Sequence, residues 1–379
     1  MIVFRWWYVG IGVFVLSANV FLLLDEHIKQ NIADGLRMEA NALINELLTE
    51  PDSFLLSGFN SINGFKEPIP LSFEHVSVDE KIEKWIVKSD TKALLIYKEG
   101  RILYETYSPE SDRGRSINGM SMVKNIIAIL IGIAIDEGRI LSKHDDVRLY
   151  LPEVNLKDGE TLSIRDLLNH KSGIKENPFS IYLTLKGQTL EEGITALIFA
   201  SDREFSYKNT NYHILSLVLT RIYQKPLSKI IEEKLWQPLQ LSEGKIIDSA
   251  GYCCLFATAR SWLALGQLYL YKGRYKASQI VSNEWIDNML TDKEYPDRFF
   301  VQATGRTVGN IYGYHIYHGL HGHPGYFWIE GMGLQVLLIN PEAKIIIVRL
   351  GGIPAWYRST SNRSDQHLLA DLLKVVAEG

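Results

Sequence analysis

The sequence predicts an α/β (α+β) fold: an antiparallel sheet flanked by helices, with an inserted mostly helical lobe, preceded by an N-terminal transmembrane helix. Three observations carry this. Strand-like runs stand at the two ends of the chain body, near 93–107 and 312–350, and helical patterns fill the interval. One of those patterns, Ile126–Ile135, is apolar at almost every position, as in a helix buried on all sides. The opening stretch, Ile2 to Leu24, holds the single charge Arg5 and comes near the ~20 residues that cross a bilayer.

Arg5 and the amino terminus precede that span and Asp25 and Glu26 follow it, so the positive-inside rule keeps the N-terminus cytoplasmic and exports the rest. Trp6, Trp7 and Tyr8 suit an interfacial belt. The apolar run continues through Val20–Leu24, beyond the small residues Ser17 and Ala18, which favours an uncleaved anchor over residues 1–27 against a cleaved signal peptide. From Ile28 to Leu48 apolar residues recur with helical spacing, a stalk or an interfacial helix, and Pro51, Gly58, Gly64, Pro68 and Pro70 mark a linker. Residues 28–70 are therefore stalk and linker, and 71–379 form the body, ample for a two-lobed domain. Within it, Ala93–Tyr97, a turn at Lys98–Gly100 and Arg101–Tyr107 read as a hairpin. Strands return at 312–350, and Ser364 caps a last helix with apolar residues at 368, 369, 372, 373 and 376.

A net charge of −4, with acids and bases mixed along the chain, gives no basic stripe for nucleic acid. The two cysteines, Cys253 and Cys254, are adjacent, and neighbours form a disulfide only with strain, so no disulfide framework is expected. Almost no cysteine in an exported chain suits a large periplasmic domain whose core needs no staples.

Four Ser-x-x-Lys tetrads occur, but only Ser121–Lys124 opens the long apolar helix. A serine and a lysine three apart share one helix face. If that helix is buried, low-dielectric surroundings depress the lysine pKa and let Lys124 act as a base. Ser89–Lys92 is polar throughout, while Ser172–Lys175 and Ser242–Lys245 carry glycines that argue for turns. The structural alternative for Ser121 is an N-cap with a surface lysine in the first turn. Tyr207-Lys208-Asn209 is the one Tyr-x-Asn of the chain, on a loop leading into the helical run Ile214–Leu219.

Ser-x-x-Lys followed by Tyr-x-Asn resembles the serine β-lactamase and penicillin-binding-protein superfamily. Val147–Glu153, Leu162–Gly173, Leu255–Gly266 and Asn340–Glu342 with the strand Ile345–Val348 resemble its class C-like branch, in the family's order over roughly residues 73 to 376. Phe327–Gln335 is most similar to the 6-aminohexanoate-dimer hydrolase and esterase-type members. The resemblance departs at one point. The Lys-Thr-Gly or His-Thr-Gly of that family corresponds here to Ile329-Glu330-Gly331, so the cation that greets an anionic substrate is missing; the alternative His323-Pro324-Gly325 reads as a turn.

The resemblance implies a membrane-anchored serine hydrolase on the periplasmic side of the inner membrane, cleaving a small-molecule amide or ester without a cofactor. Ser121 attacks the carbonyl, losing its proton to Lys124, to Tyr207 or to both. Tyr207 between two cations would have a lowered pKa and return the proton to the leaving group. Asn209 would hold Lys124 and substrate amides, and Gly331 and Met332 line the substrate, with the N–H groups of Ser121 and Met332 on the oxyanion. A β-lactamase or D-alanyl-D-alanine peptidase, and a non-catalytic binding protein of the same fold, are the rival readings. Histidines 315, 318, 321 and 323 crowd into nine positions, but His315 and His318 would face opposite sides of a strand. They are expected at a hairpin tip by the cleft mouth, standing in for the missing cation when protonated, with no metal bound. His144 and His170 read as turn residues.

Overall fold

The structure is a computed structural model that describes residues 58–65, 80–109, 111–176, 197–200, 203–294, 300–301, 307–309, 311–320, 322–352, 369–370 and 372–373. In chain order, its main elements are β1 (Phe59–Ile62), α1 (Glu80–Lys88), β2 (Thr91–Lys98), β3 (Arg101–Tyr107), β4 (Ile117–Asn118), α2 (Val123–Asp136), α3 (Ile164–Leu168) and α4 (Asn209–Tyr223). There follow β5 (Gly244–Ile247), β6 (Leu255–Ala257), α5 (Ala259–Leu270), α6 (Asn283–Thr291), β7 (Ile311–Gly313), β8 (Ile316–His318), β9 (Phe327–Gly331), β10 (Gln335–Asn340) and β11 (Ile345–Gly351).

Seven strands form an antiparallel sheet in the order β7-β8-β9-β10-β11-β2-β3. The expected hairpin is β2 and β3, and it docks on β11, the last strand among the described residues, with Ile347 opposite Ile96 and Val348 opposite Leu95. Strands β2, β10 and β11 are buried along nearly their whole length. Their unbroken Ile/Leu/Val runs thus cover two faces rather than alternating with polar residues. On one face lies α5, whose Gly266 brings the helix backbone against Leu337 and Ile346. A second antiparallel sheet, β1-β5-β6-β4, stands beside the segment that carries the site.

Helix α2 is the centre of the helical part. Ile126 to Leu130 and Ile131, Ala134 are at most 1% exposed, so all its faces are covered, as the apolar run predicts. Trp285 of α6 crosses it at Gly132: a Cβ there would lie 2.0 Å from Trp285 Cδ1. The indole is fixed in that crossing because Nε1 donates to the Ala128 carbonyl at 3.0 Å. Elsewhere, half-buried ion pairs tie α3 to the end of α6. Arg165 and Lys143 both reach Asp292, and Tyr314 donates to the same carboxylate at 2.8 Å. Burial raises the Asp292 carboxyl, but its hydrogen bonds from Arg165, Lys143 and Tyr314 outweigh that and hold it at about 2.

Three sequence expectations meet corrections. The stretch read as linker contains β1, which pairs in full register with β5 from Phe59–Ile247 to Ile62–Gly244, so the folded body starts before residue 71. The alternating side chains of a four-residue edge strand give too short a signal beside so many Pro and Gly residues. Cys253 and Cys254 are joined as a disulfide; closing a ring between neighbours, it cross-links no distant segments. The histidine hairpin also differs, as described with the site. The anchor at 1–27, the stalk at 28–48 and the Ser364 cap lie outside the described residues. Leu369, Leu372 and Leu373 of the last helix are buried. Among the described residues no helix is long and apolar enough to cross a membrane.

The α2–α6 crossing makes a direct prediction. Gly132→Ala in the full-length chain lowers stability by about 1–3 kcal/mol in urea unfolding, because the new methyl meets a pinned indole. An unchanged midpoint would mean that Trp285 yields freely.

Candidate active site

The chain reaches the tetrad from β4. Asn118 is fully buried, and its Oδ1 accepts the Met120 backbone N–H at 2.8 Å. Met120 itself sits in the left-handed region at φ 51°. Such a conformation costs of order 1–3 kcal/mol in a non-glycine residue and persists only where the surroundings impose it. Here it delivers Ser121 into a single 3-10 turn, Met120–Met122, that runs straight into α2. The serine makes no capping bond, and Met122 rather than Ser121 is the N-cap of α2. The Ser121 hydroxyl is therefore not spent on the helix terminus.

Lys124 lies one turn on, with no solvent exposure. Its Nζ donates to Ser121 Oγ at 2.9 Å and to the Tyr252 carbonyl at 2.7 Å. The rings of Tyr207 and Tyr252 flank the ammonium, 5.0 and 5.7 Å from it. Burial lowers its pKa to about 7, against a smaller upward pull from Glu176. Expected partner Asn209 opens α4 and is half-buried. Among the described residues no hydrogen bond joins it to Lys124; the Tyr252 carbonyl takes that role.

Tyr207 is hydrogen-bonded to Ser121, which brings the three expected groups Ser121, Lys124 and Tyr207 together. Its titration runs opposite to the expectation. Burial pushes the phenol well above its usual range, and the carboxylates of Glu176 and Glu330 add to this, while the Ser121 hydrogen bond only partly offsets it. The sequence suggested two cations around Tyr207; the structure surrounds it with one half-titrated lysine and two carboxylates. Glu176 accepts from the Thr210 N–H at 2.8 Å at the start of α4, and Glu330 accepts from Trp328 Nε1 at 2.9 Å.

Gly331 ends β9 against the segment before the serine. A Cβ at Gly331 would stand 2.1 Å from the Gly119 carbonyl, so only glycine permits this approach. Met332 follows in the turn to β10 and is half-buried. Buried Arg349 fastens that turn, donating to the carbonyls of Gly333 at 2.7 Å and Leu334 at 2.9 Å, and to that of Ser89 in the turn between α1 and β2. Ile329, at the position of the family cation, is 1% exposed. Residues 323–326 form a turn, His323 N–H to the Leu320 carbonyl and Tyr326 N–H to that of His323.

His315 and His318 are buried rather than at a cleft mouth, His323 is half-buried in its turn, and His321 lies outside the described residues. Tyr314 and His315, with φ 53° and 59°, form the two-residue turn between β7 and β8. This interrupts the strand that alternation assumed and turns His315 inward, where it is fully buried. Burial first, and then the Lys124 charge, hold its pKa well below the ordinary value, so it is no replacement cation. His318 is 8% exposed and likewise lowered by burial, to about 3. Sequence reasoning missed Tyr252, which reaches Lys124 only through a backbone carbonyl and so leaves no signature. It read His170 as a turn residue; His170 does stand in a turn at φ 56°, but its ring also packs, tilted by 34°, against that of Tyr207 with centroids 4.5 Å apart.

A family model described as Beta-lactamase matches residues 86–351, well over half of the chain. Over 314 residues the sequence is 23% identical to the 6-aminohexanoate-dimer hydrolase of Paenarthrobacter ureafaciens, covering 72% of this chain and 75% of that protein. Among solved structures it is similar to EstCE1, a hydrolase with promiscuous acyltransferase activity, with TM-score 0.60, 16% identity and 78% and 96% of the two chains covered. It is also similar to the octameric penicillin-binding protein homologue from Pyrococcus abyssi, with TM-score 0.58, 20% identity and 77% and 76% covered. These structural likenesses bear on the fold alone. With the family match running from α1 to the end of β11, the chain belongs to the beta-lactamase family.

Proposed function

We propose that this protein is a membrane-anchored serine hydrolase that cleaves a small-molecule amide or ester through a Ser121 acyl-enzyme, its body on the periplasmic face of the inner membrane. The observation that carries the reading is Lys124: a fully buried amine with a pKa of about 7, hydrogen-bonded at 2.9 Å to the hydroxyl it would deprotonate. The similar proteins, a 6-aminohexanoate-dimer hydrolase and a hydrolase with promiscuous acyltransferase activity, support this class. The anchor rests on the Ile2–Leu24 pattern alone.

The chemistry balances as follows. Neutral Lys124 takes the Ser121 proton as Oγ attacks the substrate carbonyl. The oxyanion is received by the N–H groups of Ser121 and Met332. Tyr207, held protonated, hands its proton to the departing amine or alcohol and is reloaded from Lys124. Water then enters in place of the leaving group and the same transfers run in reverse, releasing the acid and restoring Ser121. Asn209, at the head of α4, is assigned to substrate amide groups, and Gly331 to the floor beneath the acyl carbonyl.

A β-lactamase or D-alanyl-D-alanine peptidase is the second reading, since the same three residues serve it. The apolar Ile329 and the acidic Glu330 disfavour an anionic substrate at this strand.

Two outcomes test the reading. In the full-length chain a fluorophosphonate probe labels the wild type, does not label Ser121→Ala, reacts about 10²–10⁴-fold more slowly with Lys124→Ala, and labels Ser242→Ala normally. Fluorescent penicillin run beside it leaves the wild type unlabelled; strong penicillin labelling would favour the second reading. The pH profile has a definite sign. Because Lys124 works as the neutral amine, the labelling rate rises with pH and levels off above about 7, falling about tenfold per unit below it. Glu176 favours the ammonium form, so Glu176→Gln, which keeps an acceptor for Thr210, moves this limb to lower pH. A limb that stays in place or moves up contradicts the electrostatics.

A further inference from the structure

Behind Tyr207 runs a buried polar chain that the reaction does not use directly. His170 Nδ1 receives the Lys208 backbone N–H at 3.2 Å and the Asn211 amide at 2.8 Å. That amide is oriented by Ser172, whose hydroxyl donates to Asn211 Oδ1 at 2.5 Å. A backbone N–H only donates, so Nδ1 carries no proton and the ring proton is on Nε2. Nε2 then donates to Tyr312 Oη at 3.0 Å. At the far end the Glu330 carbonyl only accepts, so His315 Nε2 holds a proton and donates to it at 2.8 Å. Burial keeps both rings neutral, helped by the Lys124 charge on each and by Lys208 beside His170. His315 Nδ1 is therefore an acceptor, and the Tyr312 hydroxyl, 3.0 Å away, fills it.

Both ring tautomers are thus fixed from the ends, and every bond of the chain points the same way, with the Tyr212 hydroxyl a second partner of Tyr312. The ends are informative. Lys208 directly follows Tyr207, and Glu330 directly precedes Gly331. Three segments distant in sequence, the turn after α3, the head of α4 and the β7–β8 turn, are joined by one chain whose two ends each lie one residue from the site.

We propose that His170, Tyr312 and His315 are positioning residues, a one-way hydrogen-bond relay that sets Tyr207 at a fixed distance from the Gly331–Met332 edge of the acyl-transfer site. The inference rests on the reading of Ser121, Lys124 and Tyr207 given above. Packing alone would hold these rings loosely, whereas a buried polar chain tolerates only the arrangement in which each donor meets its acceptor. A shift of the Tyr207 loop would withdraw the Lys208 N–H from His170 Nδ1 and leave that buried acceptor to the Asn211 amide alone.

The test uses full-length protein and the saturable reaction of Ser121 with a fluorophosphonate probe, separating the inactivation rate at saturation from the apparent binding constant. Tyr312→Phe keeps the ring and removes the middle hydroxyl. It lowers the saturated rate on the order of 10- to 100-fold, the effect of a displaced catalytic group, and changes the binding constant by less than about threefold. Position 315 supplies a second pair of variants. Glutamine offers an acceptor and a donor at nearly the spacing of the imidazole nitrogens, so His315→Gln stays within about threefold of wild type while His315→Leu falls as far as Tyr312→Phe. A Tyr312→Phe rate equal to wild type overturns the relay, as do Gln and Leu variants impaired alike. A wild-type chain that takes no label at Ser121 overturns instead the hydrolase reading beneath it.

Discussion

Burying an ammonium costs several kcal/mol unless its protons are satisfied or it gives one up, and the surroundings of Lys124 are arranged around that constraint. Among the described residues no carboxylate forms an ion pair with it. Two oxygens take its protons, one of them the Ser121 hydroxyl, and burial brings the amine to a pKa of about 7, where either form is accessible. Its neighbours conform. His170 and His315 are both held neutral, so no second cation drives Lys124 further down. Tyr207 is held as a phenol. The division of roles between a base that can lose its proton and an acid that keeps one follows from burial acting with opposite sign on an amine and a phenol.

The fold provides this environment by bringing distant segments into one place. Helix α2 is apolar on every face, which puts the tetrad at the edge of the interior rather than at the surface. The strained Met120 backbone then leaves Ser121 half-buried at that edge. From the other end of the chain, β9 closes on Gly119 through Gly331, and Arg349 on β11 clamps the turn that follows. Since β2 and β11 are adjacent strands, the beginning and end of the body must pair before this side of the site exists. The geometry of the serine turn therefore depends on long-range sheet pairing as much as on its own helix.

Much of this was legible in the sequence where one element carries the signal. The apolar run after Ser121, the β2–β3 hairpin and the helix following Tyr207 each lie within a short window, and periodicity suffices for them. What depended on non-local contact was not legible. The Tyr252 carbonyl, the hydrogen bond between Tyr207 and Ser121, and the link from His170 to Tyr312 join residues more than thirty positions apart. The histidine tract was misread because alternation was carried through a two-residue turn; positive φ at Tyr314 and His315 reverses the chain there and sends His315 into the interior. The Tyr207 pKa is raised rather than lowered for a related reason: the burial of the phenol and the nearness of Glu176 and Glu330 are non-local and leave no mark in the sequence.

The central claim is that Lys124 is a buried amine poised near neutrality, and it can be observed without any substrate. Lysine side-chain 15N resonances of the full-length protein, with Lys124→Arg identifying the signal, report the titration directly. The structure predicts a midpoint at about 7, against 10.5 for an ordinary lysine. A Lys124 signal that remains that of an ammonium through pH 9 would contradict the account and remove the base from the proposed reaction.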